Sequence, residues 1–302
     1  MKATRTLKVI LMSTTAIGLA TLSAAAQTNP PGLVSLWAAQ GDPSDSVGTN
    51  HGLLHGGVTF SAGRVGLAFA LDGTTGYVDV PDSPSLDLRS NATLMAWVYL
   101  EELPSQAGRV MHVLGKSQLN NDLDFQVETD DRIHFYIGPG STVSSLTVLQ
   151  TSIWYHVVAT YKANSQIQLF INGVREASAS ISVTRAANSN PLTIGWNVVF
   201  PGRFLHGRID QVRVFDAVSS EDRIADIFTV ESGLVRARIY PAAEVCWSSR
   251  TNENYQLQWV SSLDSTNWVN LGTPLQGTGT TMCILDSTRA QEKQFYRLQV
   301  VP

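Results

Sequence analysis

"GRIDQVRVF", residues 207–215, reads as a β-strand with one residue out of place. Side chains alternate along a strand, which sets Asp210 on the side of Val212 and Val214, and Gln211 and Arg213 on the other. If the valines face a core, a carboxylate faces it too. A buried carboxylate without a partner costs several kcal/mol or more. Asp210 must therefore meet a cation, a set of donors or a proton.

Runs of the same kind recur toward the N-terminus: "LVSLWAA" from Leu33, "LAFALDG", "YVDVPD", "ATLMAWVYL", "RVMHVLGK", "LDFQVET", "RIHFYIG", "WYHVVATY", "QIQLFING" and "PLTIG". Alternation over short runs bounded by Gly, Pro, Asn and Asp predicts antiparallel sheets with one face on a core. Asn172-Gly173 is a hairpin signal, and Asp130-Asp131 marks a second polar turn. The one segment with helical spacing is "SSEDRIADIF". There Ser219 serves as N-cap with Asp222 at the third helical position, and Ile224, Ile227 and Phe228 form a face to set against a sheet edge.

The two ends read differently. Lys2, Arg5 and Lys8 precede a short apolar run and the small residues Ala24 and Ala26, the pattern of a secretory signal peptide over residues 1–26. Its removal leaves 18 Lys and Arg against 25 Asp and Glu, a net charge of −7. That balance excludes a nucleic-acid partner, and no second long apolar stretch points to membrane insertion. The expected location is secreted, periplasmic or on the cell surface, with the oligomeric state unspecified. After residue 231 the strand pattern restarts in shorter pieces, which predicts a large β-domain over 27–231 and a small β-sandwich over 234–302. Cys246 and Cys283 both lie in the small domain. In an exported protein they either pair, stabilising it by roughly 3–4 kcal/mol, or remain separate thiols.

The order of motifs from "GLVSLWAAQGDPSDSVGTNHG" through "WYHVVATY", "LFINGV" and "GRIDQVRVFDAVSSEDRI" resembles the laminin-G-like, concanavalin-A-like jelly-roll family over residues 32–228. The resemblance implies two stacked, curved antiparallel sheets, an all-β fold. The C-terminal segment is similar, more weakly, to a small sandwich module of exported bacterial modular proteins, which implies an adhesive or spacer role. In the jelly-roll family a structural calcium ion often joins the loop after the first strand to the last long strand. Asp45, Gly48 and Asn50 match the loop pattern and Asp210 the acidic position, so the resemblance implies calcium at these four residues. The alternative is that Asp210 accepts hydrogen bonds from backbone amides or from Arg208 and His206.

Glycanases of the superfamily carry three acids on one strand. Here Asp122, Asp124 and Glu128 share a face, but Gln126 falls where the second outer acid belongs, and Glu128 is six residues from Asp122. That spacing spans about 20 Å of strand, too far for the carboxyl pair of a retaining hydrolase, which leaves Asp122 with Asp124 as the one alternative pair. Binding is the stronger expectation. "GWNVVFPGRF" places Trp196, Asn197, Phe200 and Phe204 in one loop, the residue types that stack on and fix a sugar ring. The reading is an exported, non-catalytic module that binds a glycan or an extracellular surface protein. An inert structural or adhesion spacer and a divergent glycan hydrolase or lyase are the alternatives.

Overall fold

The computed structural model describes residues 29–138, 140–234, 242–287 and 295–302. The signal-peptide expectation for residues 1–26 lies outside them. The chain divides into two compact units between Leu234 and Val235.

The large unit is two antiparallel sheets. One has eight strands, in the order Val174–Ser180, Gln166–Ile171, Trp154–Lys162, Asn91–Leu100, His206–Phe215, Leu67–Asp72 and Thr59–Ala62, with Leu33–Trp37 also paired to His206–Phe215. The other has seven: Ser141–Val148, Arg132–Ile137, Leu123–Val127, Met111–Gly115, Leu192–Ile194, Tyr77–Val80 and Leu53–His55. Leu94, Ala96 and Val98 of the first sheet share one buried cluster with Val78, Phe125, Phe135 and Ile194 of the second. Each of these larger side chains, Ala96 apart, contributes roughly 1.5–3 kcal/mol when fully buried. The jelly-roll fold implied by the resemblance is the fold observed.

Asn91–Leu100 and Trp154–Lys162 are buried along nearly their whole length, because their outward side chains are covered as well. Helix Glu221–Glu231 lies over them. Ile224 and Ile227 pack on Met95, Val158, Phe170 and Phe215, so the helix sits on the face of the eight-stranded sheet, not against its edge. Its N-cap is Ser220, whose Oγ accepts from the Arg223 amide. Ser219 is instead buried, its amide bonded to Thr93 Oγ1. Asn172 and Gly173 turn the Gln166–Ser180 hairpin with φ of 50° and 77°, the left-handed pair that Asn-Gly supplies most readily.

The strand His206–Phe215 carries a β-bulge. Asp210 pairs with Trp97 but Arg213 pairs with Met95, and Gln211 takes a φ of 50°. The extra residue reverses the alternation. Ile209, Val212 and Val214 all enter the main core, while Asp210 lies on the opposite side with Trp97. The expectation that Asp210 points with the valines is thus corrected. Residues 206–209 pair with Leu67–Asp72 and residues 212–215 with Leu33–Trp37, so the bulge sits where the strand changes partners.

The small unit has a two-stranded sheet, Ala242–Ser248 with Thr281–Ser287, and a four-stranded sheet around Asn254–Val260. Cys246 and Cys283 are directly opposite across the first and form a disulfide.

Candidate functional site

Alternation along residues 122–128 turns Leu123, Phe125 and Val127 into the core and Asp122, Asp124, Gln126 and Glu128 onto the outer face of the seven-stranded sheet. Tyr136, on the neighbouring strand, stands beside Asp124. With Phe200 and Arg203 these residues line a cavity of about 210 Å³.

Beneath it lies a buried polar network. His112 Nδ1 is 2.7 Å from Asp124 Oδ1. Asp124 Oδ2 accepts from Asn197 Nδ2 at 2.8 Å and from Gln126 Nε2 at 2.6 Å. Asn197 Oδ1 in turn accepts the amides of Val199 and Phe200, both at 2.9 Å. One fully buried amide therefore pins the 195–205 loop to the sheet. Asn197, expected among the ligand-binding residues, has its side chain spent inside the protein and acts as the loop's anchor.

The other three loop aromatics come together differently. Trp196 lies on Tyr77 with ring centroids 4.5 Å apart, and Phe204 and His55 extend the group. The Trp196 indole N–H donates to Pro201 O. Phe200 is 41% exposed and carries the Arg203 guanidinium 4.0 Å above its ring. Arg203 also donates to Gln126 Oε1. His112, Tyr136, Tyr77, His55 and Arg203 were not singled out in the sequence. Period-two alternation in "RVMHVLGK", "RIHFYIG" and "YVDV" places His112, Tyr136 and Tyr77 outward, but nothing local joins those strands.

Electrostatics distinguishes the acids. Burial, reinforced by the charge of Asp124, pushes the Asp122 carboxyl up to about 6. Burial and the Glu128 carboxylate, which accepts the Tyr136 hydroxyl at 2.8 Å, raise the Tyr136 phenol well above its ordinary range.

The four residues matched to a calcium site are held otherwise. Asp45 Oδ1 accepts the amides of Leu36 and Val47, and Oδ2 that of Asn50. Burial pushes this carboxyl up, but the amides of Gly48, Val47 and Leu36 outweigh it and hold it below its usual range. Gly48 approaches so closely that a Cβ there would lie 2.8 Å from Asp45 Oδ2. Asn50 bonds Ser35 and Ser85. Asp210 instead serves the 63–66 hairpin turn: Oδ2 accepts the Val65 amide at 2.8 Å, with the Gln211 and Arg64 amides close by. Arg208 and His206 turn to Glu101 and Glu102. Asp45 thus spends both oxygens on amides, whereas Asp210 Oδ1 is buried without a hydrogen-bond partner among the described residues. Among the described residues, Glu244, Cys246 and Cys283 are the one cluster with metal-ligand spacing, and its sulfurs are tied in the disulfide.

A family model described as the concanavalin A-like lectin/glucanases superfamily matches residues 72–225. No curated protein matches. Among solved structures, domain 4 of an extracellular GH43 arabinanase from Geobacillus stearothermophilus, in complex with arabinotriose, is similar over 65% of this chain and 97% of that one. The identity is 20% and the TM-score 0.54. The binding domain of a paraclostridial mosquitocidal protein matches over 79% of this chain and 63% of its own, at 16% identity and a TM-score of 0.56. A Trypanosoma rangeli sialidase in complex with sialic acid matches over 65% of this chain and 32% of its own, at 16% identity and a TM-score of 0.52. The chain thus spans less than two thirds of the second and about a third of the third. At these identities the likeness is one of fold.

Proposed function

The chain belongs to the concanavalin A-like lectin/glucanases superfamily, and from that premise we propose that its large unit binds a glycan on the outer face of the seven-stranded sheet and does not cleave it. The carrying observation is the 195–205 loop, which sets Trp196 on Tyr77 and Phe200 beside a polar cavity on a rigid sheet. Aromatic faces take the apolar side of a sugar ring, and carboxylates and amides fix its hydroxyls. The complexes of the arabinanase domain and the sialidase with sugars support a sugar ligand.

The non-catalytic part rests on chemistry. Glycoside hydrolysis uses two carboxyls, one as acid and one as nucleophile or base. Asp124 is spent on His112, Asn197 and Gln126, and the next outward position is an amide. Export is supported by the disulfide, which persists in oxidising compartments. No helix of the described residues is long and apolar enough to cross a membrane.

A glycan array probed with the full chain, its Trp196→Ala and Phe200→Ala variants and a reducing-sugar assay tests this reading. Binding that both variants weaken tenfold or more, with circular dichroism unchanged and no reducing ends released, is the expected result. Undiminished binding by both variants overturns the assignment of the face, and reducing-end release overturns the non-catalytic reading.

A further inference from the structure

The cavity is unequal in what it has left to offer. Apart from the Arg203 guanidinium, which gives one N–H to Gln126 and lies over Phe200, its donors are largely spent: Gln126 gives a hydrogen to Asp124, and Tyr136 gives its hydroxyl to Glu128. Its acceptors are not. Asp122 accepts no side-chain hydrogen bond among the described residues although it is half-buried, and Glu128 uses Oε1 for Tyr136. Three carboxylates, Asp122, Asp124 and Glu128, face one guanidinium across about 210 Å³. An ammonium group brings three donors and no acceptor, which complements such a residue of bonding capacity. A carboxylate or sulfate would have the one Arg203 guanidinium to meet against three carboxylates.

Resting on the reading of this face as a glycan site, we propose that the cavity receives a protonated amine and that the ligand is a glycan bearing free amino groups, with Asp122 as the residue that selects it. Phe200 and Trp196 hold the ring while Asp122 takes its amine, and Glu128, about 20 Å along the strand, can meet only another amine of the same chain. Burial pushes the Asp122 carboxyl up to about 6; Asp124 adds to this, while Arg185 and Arg203 pull it back. Glu128 and Tyr136 are the other titratable groups lining the cavity besides Asp124, His112 lies beneath it, and His134 stands beside Tyr136 on the same face. Affinity therefore rises as Asp122 ionises around pH 6 and falls again as the amine loses its proton. The attraction is ionic and weakens with salt.

Calorimetry on the full chain at pH 6.5 tests this with three probes: a glucosamine hexamer, its N-acetylated counterpart and a galacturonic acid hexamer. The glucosamine hexamer is expected to bind at least tenfold tighter than the acetylated one. Asp122→Asn should reduce that preference below threefold without weakening the acetylated hexamer, and Glu128→Gln should reduce it in part. Equal affinities, or a preference for the uronate, overturn the amine proposal and leave the glycan reading standing. Failure of every hexamer together with an empty glycan array overturns both. Binding of an oligolysine peptide without any hexamer would assign the cavity to peptide amines and overturn the glycan class.

Discussion

Asp210→Asn separates a carboxylate held by amides from one held by an ion. Asp210 is fully buried, and burial raises its carboxyl from 3.8 to about 6. A group whose proton is held more tightly folded than unfolded adds stability below its unfolded value and loses it as pH rises through the folded one. At about 1.4 kcal/mol per pH unit, the ionised form costs roughly 3 kcal/mol above pH 6. Asparagine, neutral like the protonated acid, removes that cost and keeps an oxygen for the Val65 amide. The variant should thus be more stable than the parent by about 3 kcal/mol at pH 7.5 and equal to it near pH 4. Urea denaturation followed by tryptophan fluorescence across this range reads the difference between the proteins, in which Asp122 and the other acids cancel. If a calcium ion neutralised Asp210, the order would reverse. The variant would be weaker at pH 7.5, and calcium would raise the parent's midpoint but not the variant's. That outcome would refute the reading of the 63–66 turn as the partner.

Other substitutions test the frame of the site. Asn197→Ala leaves the Val199 and Phe200 amides and Asp124 short of partners and should cost about 2–3 kcal/mol. Glycan binding should fall with it, whereas intact binding would deny the loop its anchor. Gly207→Ala places a Cβ 2.0 Å from Tyr99 O at a φ of 152°, so the central strand pair must shift, at about 3 kcal/mol or more. Gly202→Ala, with nothing within 4 Å, is the control and should move the thermal midpoint little. Reducing Cys246–Cys283, 37 residues apart, should destabilise the small unit by about 4 kcal/mol on the chain-entropy estimate. A melting profile unchanged by reductant would show that cross-strand packing alone holds it.

The sheets were legible because their faces are written at period two, and residues 122–128 project as alternation requires. The hairpin at Asn172-Gly173 was legible because few dipeptides accept two left-handed residues. The helix cap slipped by one residue because two adjacent serines satisfy the same local pattern. Only tertiary structure, through Thr93, decides which one is buried. Asn197 shows a harder limit. Its partners His112, Ser117 and Asp124 lie 85, 80 and 73 residues away, so local sequence marks it as a loop amide and cannot reveal it as an anchor.

Asp210 is the most instructive case, since the signal was present. In "GRIDQVRVF" Ile209 is out of phase with Val212 and Val214, and no regular strand can bury all three. A regular strand would either expose Ile209, losing roughly 1.5–3 kcal/mol, or force a carboxylate between the sheets at a greater cost. One inserted residue resolves both conflicts. It requires Gln211 to adopt a left-handed conformation, at about 1–2 kcal/mol for a residue with a Cβ, and it interrupts the ladder beside Trp97. The bulge is the cheaper solution. It also frees residues 206–209 and 212–215 to pair with different strands and turns Asp210 onto the hairpin amides. A charged residue out of place in an otherwise regular strand pattern therefore first indicates a break in the period, and a bound ion only when no such break relieves it.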